Sequence, residues 1–414
     1  MSHQQTDFLE TADRIGARIC RDAIWAGRAC NWVGWAQGVV DGPIAPLYRA
    51  MGPDVYGGTA GIALFLARLH RFTGDPIQKA TWEGALNQAL GRLETMPEET
   101  RLGFYTGATG VAHVLIETGR IQNDGRLIER GLRELTRVCE IGPRPEAIAV
   151  MEGSAGAIPI LLDATERFDR DDLAETAIRH GELLLDCAIK TNEGWSWKTV
   201  KRPLPKNLTG FSHGVAGIAT ALAGLFAATG DSRFRDGALA GLRYERTHFC
   251  REQGNWPDFQ QIDNFPATDK PICRMAWCHG APGIGLSRLR VWELLERDGK
   301  VRDEIEIAIA TTEAWFEEAQ LRADNDYSLC HGVSGNAELF MMGAEVLERL
   351  ELRVIAEEVG QRGMEQFERN NLPWPCGVAE AGETANLMLG LAGIGYFYLR
   401  LHAPNEVPSI LLIR

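Results

Sequence analysis

This chain of 414 residues contains no uncharged apolar stretch approaching the roughly 20 residues that a helix needs to cross a bilayer, so no membrane span is expected. It is also short of positive charge. Its 43 Lys and Arg stand against 56 Asp and Glu, and a net charge of −13 argues against a nucleic-acid backbone as partner. The opening MSHQQTDFLE lacks both the basic start and the apolar core of a secretion signal, which leaves the cytoplasm as the expected location. Nine cysteines, an odd number spread from Cys20 to Cys376, lack the tight spacing of a disulfide framework and read as reduced thiols. Hydrophobic residues at 45% and charged ones at 24% are ordinary for a globular chain. The length exceeds the usual single domain, but a closed ring of repeats can bury one large core, so residues 1–414 are read as one domain.

The chain does carry a turn repeated seven times. Gly-x-x-Gly begins at Gly58, Gly107, Gly153, Gly214, Gly280, Gly332 and Gly390, at intervals of 49, 46, 61, 66, 52 and 58 residues. At 1.5 Å rise per residue each interval has room for about two helices and their connections. Each turn opens an apolar run such as GIALFLARLHRF from Gly61, apolar around nearly the whole circumference, which suits a helix buried on all sides. TGD at Thr73–Asp75 and again at Thr229–Asp231 supplies a glycine stop and then a cap for the next helix. The expected unit is therefore inner helix, stop, outer helix. Seven such hairpins can stack as an open solenoid or close into a ring. Closure is favoured, because open arrays end in polar capping repeats and the last unit here, NLMLGLAGIGYFYLRL, is as apolar as the central ones. The fold class read from the chain is all-α, an α/α toroid with its seven Gly turns gathered at one end.

Two of the turns are near copies, WCHGAPG at Trp277–Gly283 and LCHGVSG at Leu329–Gly335. Cys278, Cys330 and His331 are of the right type for zinc, and three ligands leave one coordination place for a substrate. Two residues before the first glycine of the seven turns stand Tyr56, Tyr105, Met151, Ser212, Cys278, Cys330 and Met388. One residue before it stand Gly57, Thr106, Glu152, His213, His279, His331 and Leu389, so reactive side chains concentrate in units three to six.

WCHGAPG, LCHG, TGFSHGVAGIA from Thr209, GNWPD at Gly254–Asp258 and LMLGLAGIGYFYLRL with the ending VPSILL together resemble the lanthionine synthetase C-like family, from about Ile15 onward. Within it the likeness is greatest to the cyclase domain of the bifunctional lanthipeptide synthetases. The resemblance implies a ring of seven inner and seven outer helices. It also implies Zn2+ on Cys278, Cys330 and His331, with His213 as acid/base and Arg274 as a further site residue. The implied reaction adds a Cys thiol to dehydroalanine or dehydrobutyrine in a ribosomal peptide, giving thioether rings. Its partners are a dehydrated precursor peptide and a separate dehydratase, whose half is missing here. One position departs from the family: an Asp usually stands four residues before the third-unit glycine, where this chain has Ala149. Glu152 or Glu146 are candidates to replace it.

Other readings compete at each position. Cys376 or Cys273 as a fourth ligand would make the metal site closed and structural. His213 and His279 can serve as plain turn residues, and Arg274 can pair with a carboxylate. Trp277 and His279, flanking Cys278, are candidate substrate contacts. Trp195, Trp197 and Trp256 suit peptide binding or packing. GLAGIG at Gly390 has the look of a dinucleotide turn but has no strand before it. Two further functions stay open: addition of another thiol such as glutathione to dehydrated residues, and a non-catalytic toroid that binds a peptide or partner enzyme.

Overall fold

The computed structural model describes residues 3–39, 44–98, 101–260, 272–295, 297–319 and 325–413. Among them are fourteen α-helices. α1 (His3–Arg21) is followed by seven inner helices, each directly after a Gly turn: α2 (Thr59–Thr73), α4 (Ala108–Gln122), α6 (Ser154–Phe168), α8 (Val215–Thr229), α10 (Ala281–Leu294), α12 (Val333–Val346) and α14 (Leu391–His402). Between them run the outer helices α3 (Pro76–Gly91), α5 (Gly125–Ile141), α7 (Asp171–Asp186), α9 (Ser232–Thr247), α11 (Gly299–Ala319) and α13 (Leu350–Gly363). Each inner helix packs on the next, and α14 packs back on α2, so the ring is closed. The all-α toroid read from the sequence is the observed architecture.

The Gly-x-x-Gly signature has a steric cause. The first glycine is the N-cap of its inner helix in all seven units. The segment before it folds back across the first helical turn, so that a Cβ on the second glycine would strike a backbone carbonyl: that of Val55 at Gly61, Trp277 at Gly283 and Leu329 at Gly335. The TGD stops work as expected. Gly74 and Gly230 take φ of 70° and 72°, and Asp75 and Asp231 then cap α3 and α9 by accepting from Ile77 N and Arg233 N at 2.8 and 2.9 Å.

One feature of the repeat unit needs correction. Among the described residues the seventh inner helix, α14, is followed by no outer helix; it is covered by α1. α1 turns Phe8, Ala12, Ile15 and Ile19, all nearly fully buried, toward the core at helical spacing. The pattern also hides three antiparallel hairpins in connecting segments: β1 (Ile24–Ala26) with β2 (Ala29–Asn31), β3 (Val33–Val39) with β4 (Ile44–Ala50), and β5 (Ile189–Thr191) with β6 (Gly194–Ser196).

The Gly-turn end is bound together by a belt of backbone hydrogen bonds. Tyr56 donates to Tyr105 O, Thr106 to Met151 O, Met151 to Ser212 O, Ser212 to Cys278 O, Cys278 to Cys330 O, Cys330 to Met388 O, and Met388 back to Tyr56 O, all at 2.9–3.3 Å. These are the residues aligned by register two positions before each first glycine, with Thr106 standing in once for its neighbour. Beneath the belt, Tyr105 and Trp277 meet edge to face at 4.9 Å, and they donate to Ile410 O and Leu411 O of the buried segment 409–412.

Candidate metal centre

The belt brings together ligands 52 residues apart in sequence. With the Cys278 amide bonded to Cys330 O at 3.3 Å, the two thiols and the His331 ring share one pocket, their ligand atoms all within 4.8 Å of one another. Tetrahedral bonds of ~2.0–2.3 Å to nitrogen and sulfur would draw such atoms only slightly closer, so the donor set fits a borderline-soft divalent cation. His331 Nε2 lies 2.7 Å from Gly377 O. That contact places the proton on Nε2 and turns Nδ1 to the pocket, the usual means of orienting a histidine ligand.

No fourth His, Cys, Asp or Glu joins this group among the described residues. The Cys376 thiol faces Thr384 O at 4.0 Å, and its pKa is pushed up by burial to about 12. Cys273 is turned to Cys250. Tyr56, noted in the sequence only for its register, stands beside the Cys330 sulfur, and burial together with that sulfur holds its hydroxyl well above the ordinary phenol value.

Without a cation, the two thiols share a proton. The hydrogen bond from Cys330 holds Cys278 well below the ordinary thiol value against the effect of burial, with His331 helping, and the same contact pushes Cys330 well above it. Burial works to neutralise His331, but the Cys278 sulfur and Asp326 outweigh it, lifting the imidazole to about 9.

His213 precedes α8 in the neighbouring unit. Glu152 Oε2 lies 3.4 Å from its Nδ1, an ion-pair distance without the alignment of a full hydrogen bond. Burial pulls the imidazole's pKa down, but Glu152, with Cys278 and Asp258, overcomes this and leaves it raised. Of the two candidates to replace the missing carboxylate at Ala149, the fold brings Glu152 to His213; Glu146 is exposed and makes no such contact. Arg274 donates through Nε to Asp258 Oδ2 at 2.7 Å.

Two candidate substrate contacts are buried. Trp277 is fully buried between Tyr105 and Phe211, which makes it an anchor for the segment at Leu411. His279 is 5% exposed and lies among Thr209 O, Gln260 and Asp258, where it braces the turn. Trp197 and Trp256 are likewise core residues, while Trp195 is half-buried under Lys190. No helix is long and apolar enough to cross a membrane among the described residues.

A closed toroid of paired helices with a Cys2His pocket at its Gly-turn end defines a class of protein, and comparison with known proteins narrows it. Residues 49–412 match the family described as lanthionine synthetase C-like protein. The chain belongs to that family. It is 22% identical over 96% of its length to the lacticin 481/lactococcin biosynthesis protein LcnDR2 of Lactococcus lactis subsp. lactis, and spans 41% of that relative. It is 25% identical over 73% of its length to the nisin biosynthesis protein NisC of the same organism, covering 76% of it. It is 24% identical over 69% to the glutathione S-transferase LANCL1 of Danio rerio, covering 68%. Among solved structures, nisin cyclase superposes with a TM-score of 0.60 at 21% identity, covering 87% of this chain and 90% of that one. A GH76 α-mannanase of Bacteroides thetaiotaomicron gives 0.54 at 11% identity, covering 97% and 96%, which shows how widely this toroid is shared.

Proposed function

We propose that this protein is a zinc-dependent lanthionine cyclase acting on a dehydrated ribosomal peptide that a separate dehydratase prepares. The observation that carries the reading is the convergence of Cys278, Cys330 and His331 with no fourth ligand among the described residues, next to an imidazole–carboxylate pair. Zinc held by these three residues would supply Lewis-acid activation of a peptide cysteine, lowering the pKa of a thiol that is otherwise about 8.5. With Cys278 and Cys330 as thiolate ligands, a sulfur activated there would remain electron-rich. As its S–H bond is lost, sulfur bonds to the β-carbon of a dehydroalanine or dehydrobutyrine, and negative charge grows on the adjacent carbonyl oxygen. Arg274 offers guanidinium hydrogens to that oxygen. His213, held protonated by Glu152, delivers a proton to the α-carbon. One C–S and one C–H bond form, the S–H bond and the Cα=Cβ π bond break, the proton from sulfur replaces the one His213 gave up, and the peptide mass is unchanged.

The test follows from that balance. Purified protein with zinc and a dehydrated thiol-bearing peptide should consume free thiol at constant mass. No thiol loss would refute the cyclase reading; addition of glutathione with the matching mass gain would favour the activity named for the Danio rerio relative.

Metal loading carries its own signature. The metal-free site holds a proton on Cys330 and one on His331, so zinc binding near pH 7.5 should release about two protons. Affinity should rise with pH, less steeply once His331 has lost its proton near pH 9, because Cys330 still holds its own above that point. Calorimetry in buffers of different ionisation enthalpy reads both effects; release of none would contradict the ligand assignment.

A further inference from the structure

The GNWPD segment carries part of the family likeness, yet nothing above uses it as a unit. It is tied down at all five residues. Gly254 has φ +58° and its carbonyl accepts from Thr311 Oγ1 at 2.7 Å. Asn255 pairs with the backbone of Cys250 and donates through Nδ2 to Arg274 O at 3.0 Å. Trp256 is buried with its ring centroid 4.9 Å from that of Phe249. Pro257 O accepts from Thr209 Oγ1 at 2.6 Å. The Asp258 amide donates to Ile272 O at 2.7 Å. The segment is thus a bracket between two turns: Thr209 leads into the turn that carries His213, and Arg274 leads into the one that carries Cys278.

The Asp258 carboxylate sits inside this bracket with its side chain 3% exposed. Oδ1 accepts from the Gln260 amide at 2.9 Å and lies 3.7 Å from His279 Nδ1, while Oδ2 takes Arg274 Nε at 2.7 Å. Its orientation is therefore fixed from several sides. Arg274 is different: its side chain is 33% exposed, and among the described residues its terminal nitrogens make no hydrogen bond or ion pair. A buried carboxylate is costly unless paired and well bonded. Here it is immobile, and it holds its partner by Nε alone. A guanidinium gripped this way keeps a planar, two-pronged donor edge available, which lysine could not offer.

We propose that Asp258 is the positioning residue of the reaction: by clasping Nε it presents the terminal nitrogens of Arg274 to the carbonyl oxygen of the dehydrated residue. This rests on the cyclase reading given above. The effect of Asp258 passes through Arg274, so loss of either residue costs the same interaction.

Two measurements on the zinc-loaded protein test this. Asp258→Asn should lower kcat/KM about 10²-fold, the scale expected when a donor is misplaced by about an ångström. Zinc content should stay unchanged. Arg274→Ala should cause a comparable loss, and the double variant should be no worse than Arg274→Ala; losses that multiply would overturn the proposal. Independently of turnover, phenylglyoxal labelling of Arg274, mapped by mass spectrometry, should speed up several-fold in Asp258→Asn, with Arg235 as the internal standard. Equal labelling in both proteins also overturns it. If the wild-type protein does not turn over dehydrated peptide, the cyclase reading and the reaction role of Asp258 fail together, whereas turnover with multiplying losses or equal labelling sinks the Asp258 role alone.

Discussion

Cys330→Ala is expected to leave a folded protein that neither holds zinc nor consumes thiol. Cys330 contributes to the belt through its amide, donating to Met388, and its carbonyl, accepting from Cys278, and alanine keeps both. The lost sulfur is a different matter. Structural zinc sites bind with roughly 10–16 kcal/mol, so one ligand in about four represents ~3 kcal/mol or more, over 10² in affinity. Elemental analysis after dialysis against a weak chelator, beside thermal melting and the free-thiol assay, separates the outcomes. A variant with stoichiometric metal would remove Cys330 from the ligand set. A variant that no longer melts cooperatively would mean that the sulfur is needed for the fold.

The second large effect is expected at the imidazole–carboxylate pair. His213→Asn should retain zinc and lose between about 10² and 10⁴ in kcat, the range for a removed acid/base. Glu152→Gln should be milder and visible in the pH profile. His213 holds its proton because the Glu152 charge, with smaller contributions from Cys278 and Asp258, outweighs burial. Glutamine removes that charge, so the imidazole pKa falls and the proton-donating form is lost at lower pH. The alkaline limb of the kcat profile should therefore move toward acid. An alkaline limb that stays in place would show that Glu152 does not do the work expected of a carboxylate at Ala149.

The toroid was legible in the sequence because its cause is local: each second glycine answers a carbonyl six residues earlier, so the motif is written within one turn. Register then aligned the residues that form the belt, and with them Cys278, Cys330 and His331. Pairings made within connecting segments or by closure left no such mark. Nothing near Asp258 in the chain points to the guanidinium of Arg274, 16 residues on, and Tyr56 meets the Cys330 sulfur only because the ring returns to its first unit. The same holds for α1, whose buried Phe8, Ile15 and Ile19 carry no hint in the sequence that their mate is α14. The burial of Trp277 was hidden for another reason. Adjacency to a ligand suggested a substrate contact, but at the start of a turn the side chain points inward, and its burial is complete.

The pairing of α1 with α14 also shapes how the protein is born. On the ribosome, α1 emerges long before its mate, with six hairpins of chain between them, a wait on the order of tens of seconds at about 5–20 residues per second. During that interval Phe8, Ile15 and Ile19 lack the helix that covers them, so the ring can close only when α14 reaches α1.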